Sequence, residues 1–196
     1  MIVSFNFYYA RPGLEDAVLK QRLRASDVRE RLGIPRGRVI ARTEGAPTLP
    51  DVIWEQHFEA IDGHHEDMAV RAASPEFEAI RAGMRQLCRR FERPLFEVER
   101  DDPAQAASTA LVSLGWIFCS PEKTKSALDV LDRHIGKGLD RGRLLRLVTP
   151  GEDLPTLVWQ REYADRAAAA SQDLGDLGAA LAPPADRVEG SVWKVE

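Results

Sequence analysis

The sequence lacks the features of secreted, membrane-spanning and disulfide-stabilised proteins. Only 2 of its 196 residues are cysteine, Cys88 and Cys119, and they stand at no recognised spacing, which favours a reducing compartment. No apolar run reaches the roughly 18 residues of a membrane-spanning helix, and the first residues lack the basic start and cleavage site of a signal peptide. We therefore predict a cytoplasmic protein with no membrane contact.

An excess of basic charge is also missing. The chain has 27 Lys and Arg against 31 Asp and Glu, so its net charge of -4 gives no general attraction to polyanions, and we expect no nucleic-acid partner. Glycine-rich phosphate loops, a serine nucleophile elbow and a C-x-x-C pair are absent from the sequence. What is present, 44% hydrophobic and 30% charged residues, is typical of a packed globular protein.

The chain contains an internal repeat. Residues 48–58 (TLPDVIWEQHF) match residues 153–163 (DLPTLVWQREY) at an offset of 105, and residues 37–40 match 142–145 in the same register. Residues 94–99 resemble 191–196, and residues 9–12 resemble 118–121 at an offset of 109. Self-similarity over this length indicates two copies of one structural unit.

The first copy is predicted to be β-α-β-β-α-β. Its hydrophobic patterns predict strands over 2–10, 38–44, 51–59 and 94–99. The second helix begins at Ser74-Pro75, an N-cap followed by proline. The first helix ends before Gly33 and Pro35, and its apolar face is predicted to contain Leu14, Val18, Gln21, Ala25, Val28 and Leu32.

The second copy follows the same order. We predict strands over 110–119, 143–149, 156–164 and 190–195, a helix beginning at Ser120-Pro121, and a shortened second helical region within 166–181. The segment between the copies has no large apolar residue. We therefore divide the chain into repeat 1 at 1–100, a linker at 101–109 and repeat 2 at 110–196.

This element order predicts an α+β fold: in each copy an antiparallel sheet with two helices on one face, the other face covered by the second copy. In element order the chain resembles the dimeric α+β barrels of ferredoxin-like topology, in a tandem-fused form. That superfamily includes antibiotic-biosynthesis monooxygenases, NIPSNAP-like proteins and uncharacterised families. The resemblance implies two ferredoxin-like repeats forming a pseudo-dimeric barrel with a small-molecule site between the sheets.

Strand alternation selects candidates for that site. If the apolar face of the first strand packs on the helices, then Ser4, Asn6 and Tyr8 face the opposite sheet. In the third strand we expect Glu55 and His57 in the cavity. The corresponding part of the second copy contributes its own set: Gln160, Glu162, Leu114, Trp116 and Phe118.

His57, Glu55 and Tyr8 are the candidate catalytic residues. A histidine beside a carboxylate or a tyrosine can act as a general base near neutral pH, although a solvent-facing or internally paired histidine is the alternative. The candidate ligand-binding residues are Asn6, Trp116, Phe118 and Glu162.

The resemblance adds Arg71 to the ligand-binding set. Monooxygenases of the superfamily often carry a histidine three residues before a Ser-Pro-x-Phe helix start, but Arg71 stands there, before Ser74-Pro75-Glu76-Phe77. NIPSNAP-like members carry an arginine near this point. The departure from the monooxygenase pattern weakens a direct transfer of that chemistry.

No metal and no cofactor is predicted. His64 and Asp67 could share a helix face, but a third and fourth ligand are missing, so a solvated helix start is the preferred interpretation. Haem would need His57 or His134 as an axial ligand. The arginines at 81, 85, 89, 90 and 93 are interpreted as a solvated or oligomer-contacting surface.

These observations favour a protein that binds a small, largely apolar oxygenated molecule. It would act as a cofactor-independent monooxygenase or isomerase, and the alternative is a non-catalytic binding or assembly protein. Because fusion supplies one sheet partner, we expect either a monomeric pseudo-dimer or a homodimer.

Overall fold

A computed structural model describes residues 1–102, 109–135, 142–149, 151, 153–167, 175–182 and 184–196. The described elements, in chain order, are β1 (Ile2–Ala10), α1 (Glu15–Arg31), β2 (Arg38–Gly45), β3 (Val52–Phe58), α2 (Ile61–Ala72), α3 (Pro75–Leu87), β4 (Cys88–Glu92), β5 (Leu95–Asp102), β6 (Leu111–Phe118), α4 (Pro121–Ile135), β7 (Gly142–Leu147), β8 (Leu157–Tyr163), α5 (Gly175–Leu181) and β9 (Arg187–Val195). The protein is therefore α+β, as the sequence predicts. None of the described helices is long and apolar enough to cross a membrane.

The chain divides into two compact units. The first comprises residues 1–42, 47–96 and 196, and the second comprises residues 43–46 and 97–195. In the first unit β3 lies between β2 and β1, and β4 pairs with the other edge of β1, all antiparallel. The amide of Phe5 also donates to the carbonyl of Pro94 at 3.1 Å, which brings the start of β5 to the same edge.

The second unit has the equivalent strand order. Its β8 lies between β7 and β6, and β9 pairs with the other edge of β6, again antiparallel. The repeat identified in the sequence is thus matched by the same order of strands in the two units.

Each unit packs helices against one face of its sheet around a tryptophan of the third strand. In the first unit Trp54 is buried with Tyr8, Val18 and Met84. In the second unit Trp159 is buried with Ile117, Ala127 and Leu131. Burial of these large side chains is the main source of stability for each layer.

Two glycines allow this packing. A Cβ on Gly37 would collide with the indole of Trp54, and this residue also has a φ of +71°, which favours glycine. A Cβ on Gly142 would lie 2.8 Å from the Trp159 ring. The matching Gly–Trp pairs at 37/54 and 142/159 explain why both residues are shared by the two copies.

The predicted elements coincide with the described ones to within a few residues. Ser74 caps α3 as predicted, since its Oγ accepts from the Phe77 amide at 3.2 Å. Two elements were not predicted, the full helix α2 and the strand β4, which contains Phe91. Residues 103–108 of the proposed linker and residues 168–174 of the helical region within 166–181 lie outside the described residues.

Candidate binding site

The faces of β1 are the reverse of the prediction. Paired residues in antiparallel strands point to the same side of a sheet, and Asn6 pairs with Trp54 whereas Phe5 pairs with Glu55. Asn6, Tyr8 and Trp54 line a cavity together with residues of α1 and α3, so this polar face looks toward the helices. The apolar face therefore does not pack on the helices, and that prediction is wrong.

This reversal separates the predicted catalytic residues. Val3 pairs with His57 and Phe5 with Glu55, so His57 and Glu55 share the face opposite to Tyr8. A direct Tyr8–His57 pair, one of the two pairings predicted for His57, is therefore excluded. The physical reason is that the helix-facing side of β1 carries the polar Asn6 and Tyr8, and buried arginines pack against it beside hydrocarbons such as Val18 and Met84.

The cavity lies between the first unit's sheet and the helices α1 and α3, and its volume is about 190 Å³. Its apolar lining consists of Ala25, Phe77, Ile80, Met84, Cys88 and Phe91, and its remaining lining of Asn6, Tyr8, Arg22, Trp54, Arg71, Arg81, Arg85 and Arg93. Phe91 is 45% exposed, which marks the side that opens to solvent. A protein cavity of about 150 Å³ can bind benzene. There is thus room for one aromatic ring and a few attached atoms.

Three buried guanidinium groups surround the indole of Trp54. The Cζ atoms of Arg22, Arg29 and Arg71 lie 3.8, 4.6 and 5.2 Å from its ring centroid. None of the three residues is more than 5% exposed. An aromatic face attracts cations, but this attraction is far weaker than the hydration that a buried guanidinium gives up.

One carboxylate serves this group. Asp67 Oδ1 lies 2.6 Å from Arg29 Nη2, and Asp67 Oδ2 lies 2.6 Å from Arg71 Nη2. Within the described residues, Arg22 and Arg93 form no ion pair; Arg22 donates to Ser26 Oγ at 3.0 Å and Arg93 to Asn6 Oδ1 at 2.9 Å. Four guanidiniums therefore share a single anion, and the layer carries uncompensated positive charge.

The cavity also offers unused hydrogen-bond donors. Arg22 Nε and Asn6 Nδ2 are buried and have no partner among the described residues. Because Asn6 Oδ1 accepts from Arg93, the amide nitrogen of Asn6 remains available as a donor. No Asp, Glu or His is among the lining residues. The groups that await a partner can only donate, so they suit a ligand with an anionic oxygen.

The pKa shifts of the cavity arginines are consistent with this excess of positive charge. Burial lowers the pKa of Arg71 to about 10, against the opposing effect of Asp67. Burial likewise lowers the pKa of Arg22 and of Arg93, although Tyr8 opposes the shift in both. Each guanidinium is thus less easily kept charged here than in water, and an anion in the cavity would reverse that effect.

The second unit fills the same place with hydrocarbon. When Tyr9 is aligned with Phe118, as in the sequence repeat, Arg22 aligns with Leu131, Tyr8 with Ile117 and Asn6 with Gly115. Leu131 and Ile117 are fully buried and pack with Trp159. The helix–sheet layer can therefore be built with leucine at this position, so Arg22 is not a requirement of the fold.

Glu55 and His57 line a different cavity of the first unit, of about 490 Å³. The fully buried Glu55 carboxylate accepts from Arg38 Nη2 at 2.7 Å and lies 2.5 Å from His57 Nε2. Burial opposes its ionisation, but Arg38 and His57 outweigh that and hold the pKa of Glu55 well below its usual range. Glu55 is therefore a permanent anion near neutral pH, and His57 is 36% exposed beside it.

The remaining predicted residues are divided between the units. Arg71 lines the cavity between the sheet of the first unit and helices α1 and α3, as do Asn6 and Tyr8. Trp116 and Phe118 belong to the second unit and are not in that lining: Trp116 donates to Ser191 Oγ at 2.7 Å, and Arg187 stacks 3.7 Å from the Phe118 centroid. Glu162, also in the second unit, accepts from Thr109 Oγ1 at 2.8 Å.

His64 and His134 are two of the histidines that were considered as ligands. His64 is buried against the edge of Phe58, at 5.4 Å between ring centroids, and neither of its ring nitrogens has a partner among the described residues. Burial and the nearby Arg71 and Arg93 lower the pKa of His64, so it is neutral. Across the described part of the chain no three His, Cys, Asp or Glu are grouped to hold a metal. The side chain of His134 lies outside the described residues.

Sequence reasoning missed Arg22, Trp54 and Arg93 as site residues. A signal for Arg22 was present, because the buried face of α1 contains Val18, Arg22, Ala25 and Arg29 at helical spacing. An arginine on an apolar helical stripe indicates either a buried ion pair or a ligand site. No such signal exists for Arg93, whose position depends on the unpredicted strand β4.

Comparisons with known proteins identify the fold. No family model and no curated protein matches the sequence. An anthrone oxidase-like protein of known structure is 12% identical, with a TM-score of 0.63 over 100% of this chain and 90% of its own. Two provisionally assigned monooxygenases, from Lactobacillus acidophilus and Fusobacterium nucleatum, are 8% and 9% identical, with TM-scores of 0.61 and 0.63 over 99% of this chain and 93% and 91% of theirs. At these identities the likeness establishes a shared fold.

Proposed function

We propose that the first unit binds a small, largely apolar molecule through an acidic oxygen, a carboxylate, phenolate or enolate. The observation that carries this proposal is the buried arginine group, whose member Arg22 stands where the second unit has the buried Leu131. An unpaired buried cation costs several kcal/mol, so its retention requires a compensating role. An anion held by Arg22, Arg93 and Asn6 Nδ2 supplies that compensation.

Such a site favours the ionised form of its ligand. Fixed donors in a water-poor cavity stabilise a phenolate or enolate more than the neutral acid, which lowers the ligand's pKa. These anions are the electron-rich forms from which a carbon atom is oxygenated or a double bond is moved. For oxygenation of a methylene, CH₂ + O₂ gives C=O + H₂O, so all four electrons that reduce O₂ come from the substrate and no external reductant is needed.

The neighbours of known structure agree with this chemistry. Their names, anthrone oxidase-like protein and provisionally assigned monooxygenase, describe oxidation of organic molecules. We therefore assign cofactor-independent oxygenation or isomerisation as the finer proposal. One observation favours the second candidate, a non-catalytic binding protein: no carboxylate or histidine of the described chain lines the cavity to move a proton.

The same proposal covers the architecture. The equal strand orders of the two units and their shared Gly–Trp pairs support two diverged ferredoxin-like repeats, at 1–100 and 110–196. The first repeat would then have kept the binding site and the second repeat would have lost it.

The test uses para-nitrophenol, whose phenolate is yellow. At a pH just below its own pKa we expect binding to increase the phenolate absorbance. Arg22→Met should weaken binding about 10- to 100-fold, the effect of one charge-assisted hydrogen bond. Arg24→Met is the matched control, because Arg24 is exposed on the same helix two residues away. Unchanged binding in Arg22→Met would refute the proposal.

Catalysis is tested separately by oxygen uptake with phenols and 1,3-diketones. Uptake that is lost in Arg22→Met and kept in Arg24→Met supports the oxygenase. Binding without turnover of any of these compounds supports the binding protein.

A further inference from the structure

The charge around the cavity exceeds what a ligand with one acidic group can neutralise. Arg22, Arg29, Arg71 and Arg93 contribute four positive charges, and Asp67 removes one. A monoanion would leave two guanidiniums uncompensated in a layer where three of the four side chains are at most 5% exposed.

The two unpaired guanidiniums have different neighbours. Arg22 comes from α1, stacks on Trp54 and contacts Ser26. Arg93 follows β4, donates to Asn6 and has its Cζ 5.5 Å from the Phe91 ring centroid, at the side that opens to solvent. Arg22 and Arg93 both line the cavity, as do Asn6 and Tyr8. The two cationic groups are therefore supplied by different elements of the first unit.

Unused donors accompany each of them. Arg22 Nε is unpartnered on one side, and Asn6 Nδ2, oriented by Arg93, is unpartnered on the other. Met68 Sδ, a weak acceptor, lies 2.9 Å from Arg71 Nη2 and 3.0 Å from Arg93 Nη1. A sulfur atom cannot replace a carboxylate there, so the Arg93 side also lacks an anion.

The space between these groups is apolar. Phe77, Ile80 and Met84 of α3 face it, and its volume of about 190 Å³ admits one ring. From this arrangement we infer that the ligand is an aromatic ring that carries two acidic groups, one held at Arg22 and the other at Arg93. This inference rests on the proposed function and narrows its ligand to a class.

The test compares five probes by calorimetry: neutral benzamide, benzoate, and the ortho, meta and para benzenedicarboxylates. We expect the best dicarboxylate to bind about 10- to 100-fold more tightly than benzoate, since it makes one further charge-assisted contact. Benzoate should in turn bind more tightly than benzamide.

Two variants test whether Arg93 holds the second acidic group of the ligand. Arg93→Met should abolish the preference, so that the best dicarboxylate binds this variant no more tightly than benzoate does. Arg24→Met is the matched control, because Arg24 is exposed and lies outside the lining of the cavity. We expect it to preserve the preference.

The outcomes distinguish failure of the proposed function from failure of the two-acid inference. If benzamide binds as well as benzoate, an acidic oxygen is not required and the proposed function fails. If benzoate exceeds benzamide but no dicarboxylate exceeds benzoate, the proposed function stands and the two-acid inference is overturned. Melting curves of both variants exclude loss of folding as the cause.

Discussion

Met68 is a position at which the missing anion could be supplied by the chain itself. Its sulfur contacts both Arg71 and Arg93. We expect Met68→Glu to raise stability by about 1–3 kcal/mol, because a carboxylate makes charge-assisted hydrogen bonds where a thioether cannot. The same substitution should weaken binding of anionic ligands at least tenfold.

Melting temperature and calorimetry measure the two effects together. Met68→Gln is the control, since it has the shape of glutamate without the charge. A Met68→Glu protein that is less stable than Met68→Gln would contradict the charge balance derived for the cavity.

Glu55 has a structural role that depends on pH. Its carboxylate is fully buried against Arg38 and His57, and its folded-state pKa lies below the ordinary value of 4.5. A depressed pKa contributes stability that is present above the unfolded-state pKa and is lost as the pH falls from about 4.5 toward the folded-state value. The wild-type protein should therefore lose stability steeply below that pH.

Glu55→Gln should destabilise the protein by about 3–5 kcal/mol near neutral pH, because Arg38 loses its buried partner. It should also flatten the decline of stability in acid. Urea unfolding at several pH values measures both effects, with Glu59→Gln, an exposed neighbour, as the control. An equal acid dependence of Glu55→Gln and wild type would show that Glu55 is not the titrating group.

At the scale of secondary structure, α1 and α4 align in the sequence repeat but have opposite requirements. In α1, Arg22 occupies the place that Leu131 occupies in α4. Leu131→Arg should destabilise the protein by more than about 3 kcal/mol, because it buries a charge beside Trp159 with no anion to receive it.

The reciprocal change should behave differently. Arg22→Leu should leave the unliganded protein at least as stable as the wild type, since it removes an unpaired buried cation. Melting temperatures of the two variants check the contrast. Equal destabilisation by both would mean that Arg22 serves the fold and not a ligand.

The elements show how far the sequence could be read. Strand and helix positions follow from hydrophobic periodicity and from caps such as Ser74, so they were predictable. The orientation of β1 was not, because its more apolar face, with Val3, Phe5 and Phe7, is the one that would ordinarily be expected to pack on helices. Alternation alone does not decide which face meets the helices when Arg22 and Arg29 lie on the buried side of α1.

At the scale of the whole molecule, the repeat was the most informative feature of the sequence. It gave the element order, and it provides an internal comparison in which the second unit is the apolar counterpart of the first. The candidate site was only partly predictable: Asn6, Tyr8 and Arg71 lie in its lining, whereas Glu55 and His57 line another cavity. Residues distant in sequence, such as Arg22 and Arg93, meet only through the fold.

The net charge of -4 conceals this local organisation. The cavity and its rim form a positive region within an acidic protein, with Arg81 and Arg85 at the entrance. Such a region concentrates anions near the site and repels cations. Overall charge therefore predicts which macromolecules the protein avoids, but not the sign of its small-molecule ligand.

The uncompensated arginine layer has a practical consequence for finding that ligand. A molecule that binds only the folded state raises stability by RT ln(1 + [L]/Kd), about 2.7 kcal/mol at a hundredfold excess over Kd. Arg22 and Arg93 have no ion-pair partner among the described residues. A bound anion therefore compensates positive charge that is uncompensated in the free protein. The melting temperature therefore reports binding, and fractionated metabolite extracts can be screened by the increase in melting temperature that they produce.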